Sequence, residues 1–252
     1  MAKKLTLMIM ILALICSCQS DLIDNQIEEL LGGNWQKTES YMTLTVGGVA
    51  YNRVGFVRLA GSGTAIISWG DGTPIEQFTL SNMIPGTLQT HSYSDDYKQY
   101  TITIIGNGIT HLYCGNNLLT KLDVSKNIAL TELVFTGSYA KISSIDLSKN
   151  IALTKLTCAN NQMTHLNLSN NTALTHLSCC SNLLTSLDLS KNSAIKWMDC
   201  ENNKFQVDAL NAMFNSLPTV DSGFIAIGRN PGATDASLNQ SIAEDKGWGF
   251  AW

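Results

Sequence analysis

Cysteines are the side chains of this 252-residue chain best suited to chemistry, and five of its seven are spaced as if for a purpose. Cys114, Cys158, Cys179 and Cys200 recur in one phrase, seen twice in LTKLTCANNQMTHLNLSNNTALTHLSC over residues 153–179, and Cys180 follows Cys179 directly. Zinc would need four ligands around a tetrahedron, with sulfur at about 2.3 Å. Cysteines repeated every 21 residues at one position form a straight row, and a row does not surround an ion. Disulfides come closer: stacked strands lie about 4.8 Å apart, but parallel side chains hold their Cβ atoms beyond the preferred ~3.8 Å. Five thiols also do not divide into pairs, and Phe135 takes the same position in one copy. The expected role of the row is apolar filling, with Cys180 set apart at a turn where it is exposed.

The other reactive types do not converge either. His111 and His176 share a position three coils apart, roughly 14 Å by strand spacing, and His165 belongs to the opposite half of its coil. Ser125, Ser148, Ser169 and Ser190 form a row with no histidine repeated beside them. A nucleophile needs a base within hydrogen-bond reach, so no catalytic residue, metal or cofactor is expected. Upstream, Asp71 and His91 are expected to bond a turn and a strand edge, because no nucleophile stands near them.

These residues ride on a repeat. HLYCGNNLLTKLDVSKNIALT begins at 111, ELVFTGSYAKISSIDLSKNIALT at 132, KLTCANNQMTHLNLSNNTALT at 155 and HLSCCSNLLTSLDLSKNSAIK at 176, with WMDCENNKF after them. Self-similarity at this period is the mark of a solenoid. Each copy holds L-x-x-L-x-L-x-x-N twice, with strands predicted in both halves and alternate residues pointing inward. Asparagines end each phrase: Asn117, Asn161, Asn182 and Asn203 in the cysteine half, Asn127, Asn150, Asn171 and Asn192 in the other. Their amides are expected to bond otherwise orphaned backbone groups of neighbouring coils. The repeat resembles the leucine-rich repeat, in a short form found in lipoproteins of gut Bacteroides-type bacteria, over about 100 residues.

Outward positions are where a scaffold would bind. One stripe carries His111, Glu132, Lys155, His176 and Trp197, flanked by Tyr113, Val134, Thr157, Ser178 and Asp199; the other carries Lys121, Ser144, His165 and Ser186, flanked by Asp123, Asp146, Asn167 and Asp188. Tyr113, Lys155, His176, Trp197 and Asp199 form the candidate binding surface, since an aromatic on a rigid sheet stacks on protein or sugar.

The N-terminus, MAKKLTLMIMILALICSC, couples two lysines to an apolar run too short to span a bilayer. Ile15-Cys16-Ser17-Cys18 resembles the bacterial lipoprotein box, which implies a signal peptide over 1–17 and lipid attachment at Cys18. Its removal leaves 14 of the 16 lysines and arginines against 20 acids. No basic block appears, which argues against nucleic acid as a partner. Residues 18–34 read as tether and short helix. Over 35–108 the runs YMTLTV, VGFVRL, TAIISW and YTITII predict a small antiparallel sandwich. The order of SWGDGT at 68–73, His91-Ser92-Tyr93 and YTITI at 100–104 resembles the PKD domain, an immunoglobulin-like fold. Residues 109–205 are then the solenoid and 206–252 an α/β cap, with Asp208 and Asp235 expected to cap helices and the aromatic tail to pack on the open end. The fold expected is mainly β with a few helices: an immunoglobulin-like sandwich followed by a solenoid of 21-residue coils. The expected molecule is a monomeric, non-catalytic lipoprotein of the outer membrane or cell surface that recognises a protein or glycan; the other reading is an envelope spacer with no ligand.

Overall fold

A computed structural model of the chain describes residues 40–47, 54–83, 86–94, 98–115, 118–137 and 141–251. The assignments for 1–34, Cys18 among them, and the ladder position Asn117 lie outside the described residues. The protein is mainly β, with two short helices among the described residues, and from Ile109 it winds a β-solenoid of about six turns. Among the described residues no helix is long and apolar enough to cross a membrane.

Among the described residues six strands precede the solenoid: β1 (Tyr41–Gly47), β2 (Val54–Gly61), β3 (Thr64–Ser68), β4 (Glu76–Thr79), β5 (Thr87–Ser92) and β6 (Gln99–Ile105). In β1 strict alternation sends Met42, Leu44 and Val46 inward, the pattern of a half-buried strand. β4 and β5 were not expected as strands, because EQFT and TLQTHS are largely polar; both lie at a sheet edge, where such residues face water.

The turns contribute β7 (Ile109–Tyr113), β9 (Glu132–Val134), β10 (Lys155–Thr157), β11 (His176–Ser178) and β12 (Trp197–Asp199), with β8 (Lys121–Asp123) on the far side of the first coil. β13 (Gly223–Ala226) and β14 (Trp248–Ala251) continue the parallel row. The resulting nine-stranded sheet runs β14-β13-β12-β11-β10-β9-β7-β2-β5, and a five-stranded antiparallel sheet runs β4-β3-β6-β1-β8. Both sheets therefore cross from the N-terminal strands into the first coil: β2 pairs with β7, and β1 pairs with β8. Main-chain hydrogen bonds, and not side-chain packing alone, close the solenoid's first end, and one apolar core runs from Met42 to Trp248.

Only the cysteine half of each coil forms a ladder. Beyond β8 the other half is not paired into strands, contrary to the expectation that both L-x-L phrases would be, and single bonds such as Gln162 N–H to the Ile142 carbonyl (3.0 Å) and Leu183 N–H to that of Met163 (2.9 Å) link the turns there. On this side Asp123, Asp146, Asn167 and Asp188 each accept the N–H of the serine two residues on, at 2.9–3.0 Å, so the row is a row of turn makers.

The far end is closed by α1 (Val207–Ser216), which lays Leu210, Met213 and Phe214 on the core. Its cap residue is Gln206, two residues before the expected Asp208, which sits in the first turn instead. At the other terminus the Lys246 ammonium bonds the carbonyls of Phe214, Asn215 and Leu217 at 3.1, 2.7 and 2.9 Å, satisfying acceptors that a helix end leaves open. Asp235 does not cap a helix: its Oδ1 takes the N–H and O–H of Ser237 at 2.8 and 2.6 Å, and the chain makes turns until α2 (Ser241–Glu244). The aromatic tail packs Trp248 inside, its indole N–H donating to the Pro218 carbonyl at 2.8 Å.

Candidate binding surface

The scaffold is stiffened by ladders before any surface residue is placed. Asn182 donates from Nδ2 to the carbonyls of Cys158 and Cys179, both at 3.0 Å, and accepts the Met163 N–H at 3.1 Å. Asn161 and Asn203 repeat this one coil before and after. Asn230 extends the row into the cap, with Nδ2 on the Cys200 and Ile227 carbonyls and Oδ1 on the Asn203 N–H. In the other half Asn150, Asn171 and Asn192 each donate to two carbonyls of the preceding turn, and Asn127 donates to the Ser40 hydroxyl. A third row consists of threonines: the hydroxyls of Thr131, Thr154 and Thr175 donate to the carbonyls of Thr110, Thr131 and Thr154 at 2.9–3.0 Å.

After β10, β11, β12 and β13 the chain leaves the strand through a residue with positive φ, namely Asn160, Ser181, Asn202 and Arg229, immediately before the ladder asparagine. Asparagine enters this region more readily than serine or arginine. Directly inward lie Cys158, Cys179 and Cys200, fully buried, with Cys114 and Phe135 in the same row. The Cys114 thiol donates to the Val134 carbonyl at 3.6 Å. Burial pushes the Cys158 thiol well up, and a hydrogen bond to Cys179 together with burial does the same at Cys200; such thiols are inert filler. Cys180 is half-buried, and burial followed by the Asp199 carboxylate raises it to about 11. Among the described residues no three His, Cys, Asp or Glu side chains are grouped to hold a metal ion.

The outer face of the nine-stranded sheet carries the candidate residues in strict register. One row runs His111, Glu132, Lys155, His176, Trp197, Phe224, Gly249, and the next Tyr113, Val134, Thr157, Ser178, Asp199, Ala226, Ala251. The face has two ends of different chemistry. At the first, Glu132 lies 3.6 Å from His111 and 3.9 Å from Lys155, and Arg58 of β2 pairs with Tyr113. Burial, with Glu132 as hydrogen-bond partner, raises the Tyr113 hydroxyl to about 12. At the second, His176, Trp197 and Phe224 stack ring on ring, with centroids 6.3 and 6.0 Å apart and planes within 27° and 12°. Asp199 stands beside them, accepting the Glu201 N–H at 3.2 Å and the Ser178 hydroxyl at 3.4 Å. The fold thus brings His176, Trp197 and Asp199 together, sets Lys155 one strand away, and leaves Tyr113 with the charged end. Phe224 was missed by the sequence reading, although FIAIGRN repeats the spacing: Ile225, Ile227 and Asn230 stand where a coil has its two inward residues and its asparagine.

Two other clusters are occupied by structural work. Asp71 accepts the Thr73 N–H and O–H at 3.1 and 2.6 Å and meets His91 Nε2 at 2.7 Å, while His91 stacks on Trp69 and Tyr93 on Tyr100. Burial alone would raise the Asp71 carboxyl, but the bonds from Thr73 and His91 hold it below its usual value. On the opposite side of the solenoid a groove of about 260 Å³ is lined by His165, Asn167, Ser186, Asp188 and Lys191; Asn167 and Asp188 already serve their turns.

Neither a family model nor a curated protein matches the chain. Among solved structures it is similar to the functional domain of InlJ from Listeria monocytogenes, described as including a cysteine ladder, at 24% identity and a TM-score of 0.43. The match covers 56% of this chain and 35% of that one, so this chain spans about a third of the length of the protein it resembles.

Proposed function

We propose that this chain is a non-catalytic lipoprotein of the cell envelope, held on the outer membrane or cell surface by lipid at Cys18, which recognises another protein through the outer face of its nine-stranded sheet. The carrying observation is the His176, Trp197 and Phe224 stack, three rings displayed in register on strands whose every turn is stapled by asparagine and threonine bonds. Rigid aromatics lose little entropy on binding and dominate interface energies. The leucine-rich-repeat spacing and the PKD-like phrases of the N-terminal strands agree with an extracytoplasmic interaction module. Fold alone names no ligand. The test is affinity capture by the immobilised full chain from envelope and host-cell surface extracts. A protein retained by the wild type and lost on Trp197→Ala supports the reading. Capture indifferent to Trp197→Ala, or a retained glycan in place of a protein, contradicts it. Membrane fractionation of Cys18→Ala checks the anchor: a variant still held in the membrane fraction refutes lipid attachment there.

A further inference from the structure

The aromatic stack on the outer face stops one rung short of the sheet's edge. Trp197 covers one face of the Phe224 ring. On the other side the register partner of Phe224 is Gly249 of β14, which has no side chain to continue the stack. The position is open: a Cβ built there meets nothing nearer than the Gly223 carbonyl oxygen at 3.8 Å, and Gly249 is exposed. Nor does the backbone require glycine, since its φ is not in the left-handed region, unlike Gly247 two residues before. Phe224 is 37% exposed, so part of its ring is open to a partner.

We propose that the space over Gly249 is a vacant rung that receives an aromatic side chain from a protein partner, which stacks on the open face of Phe224, with a lysine or arginine of the same peptide reaching Asp199. This deepens the proposed function and rests on it. Several observations choose a peptide over a sugar. The row beside the gap offers Ala226 and Ala251, which bring no hydrogen-bonding side chain for ring hydroxyls. The polar group within reach is a carboxylate, two strands from Gly249 or about 10 Å by strand spacing. Among the described residues no cation is paired with Asp199, whose partners are the Ser178 hydroxyl at 3.4 Å, the Glu201 N–H at 3.2 Å and the Cys180 thiol, all neutral. A flat apolar slot beside an acid with no cationic partner fits an aromatic residue near a basic one.

The test uses the isotopically labelled full chain and a short blocked peptide, glycine-tryptophan-glycine-lysine-glycine, with controls in which serine replaces the tryptophan or glutamate replaces the lysine, and methyl glucoside as the pyranose probe. The amide signals of Phe224 and Gly249 are expected to shift with the parent peptide, with a dissociation constant of about 1–5 mM, a range set by one stacked ring and one ion pair. Each peptide control should weaken this. Gly249→Leu fills the gap and should weaken binding at least about fivefold, on the same scale, with an unchanged melting curve. Should that variant fold poorly, Phe224→Ala removes the platform from an exposed position and should have the same effect. Peptide binding that survives both variants, no shift at 10-fold higher peptide than expected, or a response to the glucoside alone overturns the proposal. A captured partner that is lost on Trp197→Ala but kept by Gly249→Leu sinks the vacant rung while leaving the face as the binding surface; indifference to Trp197→Ala sinks the face itself.

Discussion

Replacing Asn182 by alanine strikes the ladder at its middle. The amide makes two donor bonds, to Cys158 and Cys179, and accepts one from Met163, all buried. Truncation orphans the Met163 N–H, while the Cys158 and Cys179 carbonyls each lose one donor and keep another, from Asn161 and Asn203. A net hydrogen bond is worth about 1 kcal/mol, and a buried group left unsatisfied costs about 1–3 kcal/mol. Counting about 1–2 kcal/mol for the orphaned N–H and about 0.5 kcal/mol for each carbonyl that loses one of its donors gives a loss of about 2–3 kcal/mol, a sizeable part of the ~5–15 kcal/mol that holds a typical domain folded. Asn170 is the matched control: it is exposed, and its single bond reaches the Ser148 carbonyl at 3.0 Å. Asn170→Ala should cost about 0.5 kcal/mol, as surface changes do. Equilibrium urea unfolding, followed by circular dichroism, reads the difference as a midpoint shift at unchanged slope. If the two variants fall within about 0.5 kcal/mol of each other, the asparagine ladder is ornamental and the account of the scaffold's rigidity is wrong.

Phe135→Ala should destabilise by about 3–5 kcal/mol in the same assay, because Phe135 is fully buried in a row otherwise filled by cysteine and no neighbour can swing into the void. Ser181→Asn should instead stabilise by about 0.5–1 kcal/mol, since Ser181 holds φ +55° where Asn160 and Asn202 serve the neighbouring coils. For Cys180 the folded thiol titrates near 11, above its unfolded value; iodoacetamide should therefore label it slowly at pH 8 and faster only as pH approaches 11, with Cys158, Cys179 and Cys200 protected throughout. The same shift has a stability sign. The unfolded thiol loses its proton first, so Cys180 contributes full stability below about pH 9 and progressively less as pH rises toward 11. Rapid labelling at pH 7, or stability that increases over that alkaline range, would refute this.

The solenoid was legible because its physics is periodic. Leucines at L-x-L spacing, a small inward residue after them and an asparagine where the chain turns are each visible as a letter at a fixed offset, and Leu156, Cys158 and Asn161 stand as that spacing requires. What failed to show was pairing. Nothing in Ile145, Asp146, Leu147 says that the Asp146 side chain will claim the Ser148 N–H, or that this half of the coil will stay out of a sheet. Nor does any local pattern reveal that β1 and β2, roughly fifty to eighty residues upstream, hydrogen-bond the first coil; such contacts are fixed by three-dimensional closure. The candidate surface divided in the same way. Trp197 and His176 were found by counting along the repeat, whereas Phe224 was hidden by the helix that interrupts the period between β12 and β13. The threonine ladder was written in every L-T at the end of a copy, and its meaning appears only once consecutive coils stack.

The most direct measurement places a photo-crosslinking amino acid, in cells, at Trp197 or Phe224 on the sheet's outer face and at His165 or Ser186 on the groove side. The account predicts one discrete protein adduct from the first pair of positions and none from the second. Adducts arising equally from both faces, or only from His165 and Ser186, would contradict recognition by the sheet.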